Sequence, residues 1–195
     1  DRNQHMQSLL KKADFECKRV NPILMNQTEA DLYAPNNKKP GAQKRGVLSL
    51  HKTISALMQQ EWPDDLLYLE DDIDFNASFN TAHVERISRE LPNDHIIRFD
   101  CWDMKGPRDK QCYVRGPRTN ASRIRRHCLC GGTHATFFRT SKYAAYIHAY
   151  YQEHVNDIDC VLINHTAASC VNDGVVGRKR NLWNRGDIPK FDKHL

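Results

Sequence analysis

The chain has 195 residues, 39% of them hydrophobic, and carries 29 basic and 24 acidic side chains for a net charge of +5. That is enough apolar material for one sizeable core, so a single domain over 1–195 is expected. The mean hydropathy is −0.73, and no apolar run approaches the ~20 residues of a bilayer-spanning helix, which excludes a transmembrane segment from the reading.

Met6, Leu9, Leu10 and Ala13 recur at helical spacing and predict a helix over 3–13. Phe15–Val20 reads as a strand, closed by Asn21-Pro22. Residues 24–45, with Pro35-Asn36-Asn37 and Pro40-Gly41, read as a loop. Val47, Leu50, Ile54, Leu57 and Met58 mark a second helix. Leu66–Leu69 is a short apolar run expected as a buried strand. Val84, Ile87 and Leu91 predict a helix over 79–91, and Ile96–Phe99 the next strand.

An irregular basic stretch follows, interrupted by Gly106-Pro107 and Gly116-Pro117. Ala135–Phe138 is strand-like, and Ser141 is the expected N-cap of a helix carrying Ala144, Ile147, Tyr150 and Tyr151. Asp157–Asn164 reads as a further helix, and 172–195 as a mostly irregular tail. Helices alternating with short apolar strands predict an α/β domain of three layers. Such sheets bind ligands beyond the carboxyl ends of their strands.

Charge is unevenly placed. Eight Lys/Arg face two Asp between Asp103 and Arg126, which suggests an anionic partner as readily as a solvated loop. Arg115, Arg118, Arg123, Arg125 and Arg126 offer forked donors for phosphate or carboxylate. Seven cysteines without a CxxC pair fit a reducing compartment. Four N-x-S/T sequons, at Asn26, Asn76, Asn120 and Asn164, point instead to the secretory route, and the compartment stays open. His127, Cys128 and Cys130 with His134 lack the spacing of a zinc finger.

Glu70-Asp71-Asp72-Ile73-Asp74 directly follows the Leu66–Leu69 run. Four carboxylates in five residues repel one another, and a divalent cation such as Mn²⁺ or Mg²⁺ supplies a reason for placing them together. Glu70-x-Asp72 and Asp72-x-Asp74 both offer the acidic-x-acidic spacing found after a strand in GT-A glycosyltransferases. A solvated acidic turn is the plainer alternative.

The chain resembles glycosyltransferase family 25, which includes lipopolysaccharide glycosyltransferases and collagen galactosyltransferases. Leu69-Glu70-Asp71-Asp72-Ile73 matches the family's Leu-Glu-Asp-Asp-Val/Ile. Gly46 through His51 resembles Gly-Cys-x-x-Ser-His, with Val47 in place of Cys and the Ser one position early. Gly132-Thr133-His134-Ala135 resembles Gly-Thr-x-Ala, with Phe137 where Tyr is usual. Asp159-Cys160-Val161-Leu162 resembles a later Asp-x-x-Leu. Asp1-Arg2 resembles the end of an opening Asn-Leu-Asp-Arg, which places the first strand upstream. Phe15–Val20 with Asn21-Pro22 resembles the second strand and its donor-side turn.

The resemblance implies a GT-A (Rossmann-like) α/β/α sandwich. It further implies metal-dependent, inverting transfer from a nucleotide-diphosphate sugar, expected to be a UDP-sugar, to a glycan, lipid-linked or protein-linked acceptor. Asp72 is then the metal ligand, with Asp74 as rival. Glu70 and Asp71 lie on the donor side, with Asn21, Pro22, Gly132, Thr133 and His134 lining the site. His51 is either a core histidine or a brace behind the donor pocket. Inversion requires a base on the acceptor side. Asp159 is assigned that role and Asp157 competes; a helix N-cap is the alternative for either. Arg115 and Arg118 would hold the diphosphate or an anionic acceptor. Two other readings stand beside this one: a non-catalytic basic module for nucleic acid or acidic polysaccharide, and a metal-dependent phosphoryl-transfer or hydrolytic enzyme. Aromatic residues in the basic segment are few (Trp102 and Tyr113), so no specific nucleic-acid partner is expected.

Overall fold

The computed structural model describes residues 2–99, 102–103, 124–126, 130–131, 133–156, 168–171 and 175–178. Helix α1 spans Arg2–Ala13, as the periodicity predicts, with Lys11 and Lys12 in its last turn, where the helix dipole favours cations. It ends at Asp14, whose φ of 56° is the left-handed conformation that stops helices.

The predicted strand at Phe15–Val20 does not form; residues 15–26 are irregular. Among the described residues this stretch finds no ladder partner. Further on, the amides of Ile23 and Met25 donate to helix hydroxyls, Thr53 Oγ1 at 2.8 Å and Ser49 Oγ at 3.0 Å. The predicted loop over 24–45 is also corrected. It contains helix α2 (Gln27–Tyr33) and the start of α3 (Gly41–Met58). A capping box nucleates α2: Glu29 N–H donates to Asn26 Oδ1, and Asn26 N–H donates to the Glu29 carboxylate.

Strand β1 (Leu66–Leu69) leads through a three-residue turn into β2 (Ile73–Phe75). Helix α4 (Thr81–Glu90), capped by the Asn80 side chain, precedes β3 (Ile96–Arg98). Short strands β4 (Trp102–Asp103), β5 (Ile124–Arg126) and β6 (Cys130–Gly131) follow, then β7 (Ala135–Phe138). Helix α5 (Thr140–Glu153) comes next, and β8 (Ala168–Val171) and β9 (Val176–Arg178) end the described chain. Arg139, not Ser141, stands at the N-cap of α5, because the Ser141 amide and hydroxyl both donate to Asp65 Oδ1. The Asp157–Asn164 helix lies outside the described residues, and β9 falls within the stretch expected to be irregular.

The main sheet has the order β1-β7-β3-β8-β5 and is mixed. β7 runs antiparallel to both β1 and β3, β3 and β8 are parallel, and β5 is antiparallel to β8. Strands β1, β3 and β8 therefore end at the same edge at which β7 begins. Two small ladders, β2-β9 and β4-β6, stand apart from it.

Side chains alternate across this sheet and helices cover both faces. Ile97, Ala135, Phe137 and Val171 share one core cluster with Leu9 and Ala13 of α1 and Val84 and Ile87 of α4. Ile96 and Phe138 share another with Ile54, Leu57 and Met58 of α3 and Ile147 and Tyr151 of α5. Each buried Val, Leu, Ile, Met or Phe side chain among these contributes roughly 1.5–3 kcal/mol of transfer free energy. Strand β1, expected to be buried, is half-buried along its length because it stands at one end of the strand order. No helix among the described residues is long and apolar enough to cross a membrane.

Candidate functional site

The acidic cluster sits where β1 leaves the sheet. The β1–β7 register pairs Leu69 with Ala135, and one step further the Glu70 amide donates to the His134 carbonyl at 2.8 Å. Glu70 and His134 are thus direct cross-strand neighbours. The chain then turns, closed by a 3.4 Å bond from Ile73 N–H to the Glu70 carbonyl, and brings Asp72 back beside them.

Glu70, Asp72 and His134 each present one ligand atom, and these atoms all lie within 4.8 Å of one another. His134 Nε2 stands 3.6 Å from Asp72 Oδ1 and 3.9 Å from Glu70 Oε2. The other Glu70 oxygen, Oε1, accepts a 2.7 Å bond from the Thr133 hydroxyl. Thr133, His134 and Asp72 are buried, at 4%, 3% and 8% exposure, and Glu70 is half-buried. At an effective dielectric of about 20, two carboxylates at this spacing repel by roughly 3 kcal/mol, a cost that a bound cation would remove.

The donor set fits a divalent cation. Oxygen and nitrogen ligands at ~2.0–2.3 Å from one ion stand roughly 3–4.5 Å from each other. Two carboxylates with one imidazole form a mixed set suited to first-row metals.

Two register steps into the sheet from the Glu70–His134 pair, Tyr68, Thr136 and Arg98 pair across β1, β7 and β3 and so share a face. Arg98 is buried, at 2% exposure. The Tyr68 hydroxyl is held far above its ordinary range, first by burial and then by the charges of Glu70, Asp71 and Asp72. Nothing in the sequence pattern singled out Arg98, because its burial follows from strand order alone.

The structure thus brings together Glu70, Asp72, Thr133 and His134 of the predicted residues. Asp71 is exposed on the turn beside them. Asp74 lies on β2, where its Oδ1 accepts the Phe75 amide at 3.1 Å, and it is not one of the three grouped ligands. Asn21 and Pro22 are exposed in the irregular stretch that α3 holds. Gly132, Arg115, Arg118, Asp157 and Asp159 lie outside the described residues.

His51 is a fully buried core histidine. Its Nδ1 is 3.0 Å from the Tyr33 hydroxyl, and its ring meets those of Tyr33 and Tyr151 edge-on. Burial pushes its pKa down to about 4, partly opposed by the His154 backbone. This is the core alternative of the two readings for His51. Neither a protein-family model nor a curated protein matches the chain.

Proposed function

We propose that the chain is a metal-dependent, inverting glycosyltransferase of GT-A type that transfers a sugar from a nucleotide-diphosphate sugar to a hydroxyl acceptor. One observation carries this reading. Leu-Glu-Asp-Asp-Ile and Gly-Thr-x-Ala are separate stretches of the family resemblance, and the Thr133–Glu70 hydrogen bond joins them across 63 positions. Their meeting point lies beyond the carboxyl ends of β1, β3 and β8, the edge at which open α/β sheets take ligands.

Asp72 is the principal ligand for the metal, which supplies charge stabilisation to a departing diphosphate when bound. Glu70, fixed by Thr133, completes the acidic pair. A carboxylate on the acceptor side takes the hydroxyl proton as the new bond forms, and Asp159, with Asp157 as alternative, is assigned that role. The basic stretch around Arg115 and Arg118 supplies cations for the diphosphate or for an acidic acceptor.

The test is calorimetric titration of a panel of nucleotide sugars with Mn²⁺ or in EDTA. The expected result is that one nucleotide sugar binds and that the metal raises its affinity at least about tenfold. Equal affinity in EDTA, or no nucleotide-sugar binding at all, would overturn the reading.

A further inference from the structure

We infer that the cleft between the α2–α3 connection and the carboxyl end of α5 is a binding site for a neutral pyranose, free or at the end of a glycan. The inference goes beyond the proposed transfer reaction and uses neither its metal nor its acidic turn, none of whose residues lines the cleft.

Three observations carry it. The first is size and enclosure. The cleft has a volume of about 260 Å³. That lies just below the ~300–1,000 Å³ of pockets for drug-sized ligands, so it suits a ligand of one ring. Tyr33 and Ala34 come from the end of α2 and Val155 from the chain beyond α5. All three belong to a small core with Ala30 and Leu48, so this part of the lining is fixed by packing.

The second is preorganisation. Asn37 is held through both ends of its side-chain amide. Its Nδ2 donates to Asn156 Oδ1 at 3.0 Å, and its Oδ1 accepts the Lys39 amide at 3.0 Å. The Asn37 amide in turn donates to the Ala34 carbonyl at 3.1 Å. The Tyr33 hydroxyl stands 3.0 Å from His51 Nδ1, which fixes its ring. The two chain segments that form the cleft are therefore joined before a ligand enters, which lowers the ordering cost of binding.

The third is chemistry. Asn36, Asn37, Asn156 and Glu153 line the cleft beside the apolar surfaces of Pro35 and Val155. A side-chain amide carries donors and an acceptor on one group, and a carboxylate accepts at two oxygens. Sugar hydroxyls both donate and accept, and the ring presents C–H faces to apolar contacts. An anion would meet the Glu153 carboxylate. A cation would find that single carboxylate, with Lys38 and Lys39 directly after Asn37 in the chain. A neutral, hydroxyl-rich ring satisfies the whole set. Glu153 and Asn36 are exposed, so their polar ends exchange water for sugar hydroxyls.

The experiment is NMR on the whole ¹⁵N-labelled chain with the methyl pyranosides of glucose, galactose, mannose and N-acetylglucosamine. The expected result is saturation transfer to at least one of them, with amide shifts centred on Asn36, Asn37 and Asn156. Glu153→Gln and Asn36→Ala should each weaken that sugar about tenfold or more, Glu153→Gln through loss of a charged acceptor. Both positions are exposed, and the wild-type map needs no variant to fold. Binding should persist in EDTA, and inorganic phosphate should not shift the same amides. No binding by any of the four sugars, shifts centred elsewhere, loss of binding in EDTA, unchanged affinity in both variants, or phosphate in place of sugar would overturn the inference.

Discussion

The Thr133 hydroxyl donates to Glu70 Oε1 at 2.7 Å, and this contact decides which way the Glu70 carboxylate faces. A glutamate has three rotatable bonds, and ordering it costs entropy. Thr133 is buried two residues before β7, whose first residue Ala135 is locked in the β1 ladder, so the donor is fixed before any ligand arrives.

Thr133→Val keeps shape and strand propensity but removes the donor. Hydrogen bonds to charged groups contribute about 1.5–3 kcal/mol, so the urea midpoint should fall accordingly. Mn²⁺ affinity by calorimetry should drop about tenfold or more. Thr133→Ser should restore both. Unchanged metal affinity in Thr133→Val would show that Glu70 needs no such orientation.

The sequence made the long periodic helices and the apolar strands legible because tertiary packing there agrees with local pattern. Ile54, Leu57 and Met58 on α3, and Val84 and Ile87 on α4, face the core as their spacing predicts. Helix α2 was missed because it spans 7 residues and is driven by the Asn26–Glu29 cap rather than by an apolar stripe. Phe15–Val20 has strand composition, yet composition cannot supply a ladder partner. At the site, Glu70 and Asp72 were visible as neighbours in the chain. Their closeness to His134 depends on the β1–β7 register, which no local signal encodes.

His51 makes folding pH-dependent. Its pKa falls from the ordinary 6.5 to about 4 on folding, so the unfolded chain binds the proton more tightly. Its contribution is fully present above the unfolded pKa and is lost as pH falls from about 6.5 toward 4. The loss amounts to roughly 3 kcal/mol. Denaturant unfolding of wild type and His51→Leu at pH 7 and pH 4.5 reads it. The wild type should lose about 2–3 kcal/mol more than the variant between the two pH values. Equal losses would show that His51 is not titrating across the transition.

Arg139 ties the far end of the sheet together. Its guanidinium donates to the carbonyls of Asp94 at 3.1 Å, Ser88 at 3.0 Å and Leu91 at 3.1 Å, and its amide donates to the His95 carbonyl. The head also lies 5.6 Å from the Phe137 ring centre. Arg139→Met keeps the stem but removes the donor from the Ser88 and Asp94 carbonyls, while the Leu91 carbonyl keeps the Asp94 amide. It should cost about 2–4 kcal/mol in urea unfolding. Arg139→Lys should recover only a minor part, because an ammonium cannot reproduce the fork. Full recovery by lysine would mean that charge alone matters there.

Asp72 and Asp74 offer the sharpest test of the metal assignment, since both belong to acidic-x-acidic pairs. Asp72 is buried beside Glu70 and His134, whereas Asp74 accepts the amide of Phe75 on β2. β2 alternates, with Ile73 and Phe75 buried and Asp74 pointing the other way. Asp72→Asn keeps size but removes the charge that a divalent cation needs. It should reduce Mn²⁺ affinity by about 10²-fold or more and abolish any metal-dependent gain in nucleotide-sugar binding. Asp74→Asn retains an oxygen acceptor for the Phe75 amide and should leave Mn²⁺ affinity within about threefold of wild type. Circular dichroism and thermal unfolding of both variants separate ligand loss from misfolding. The reverse pattern, with Asp74→Asn losing the metal and Asp72→Asn keeping it, would move the centre from the β1 edge to the β2–β9 ladder.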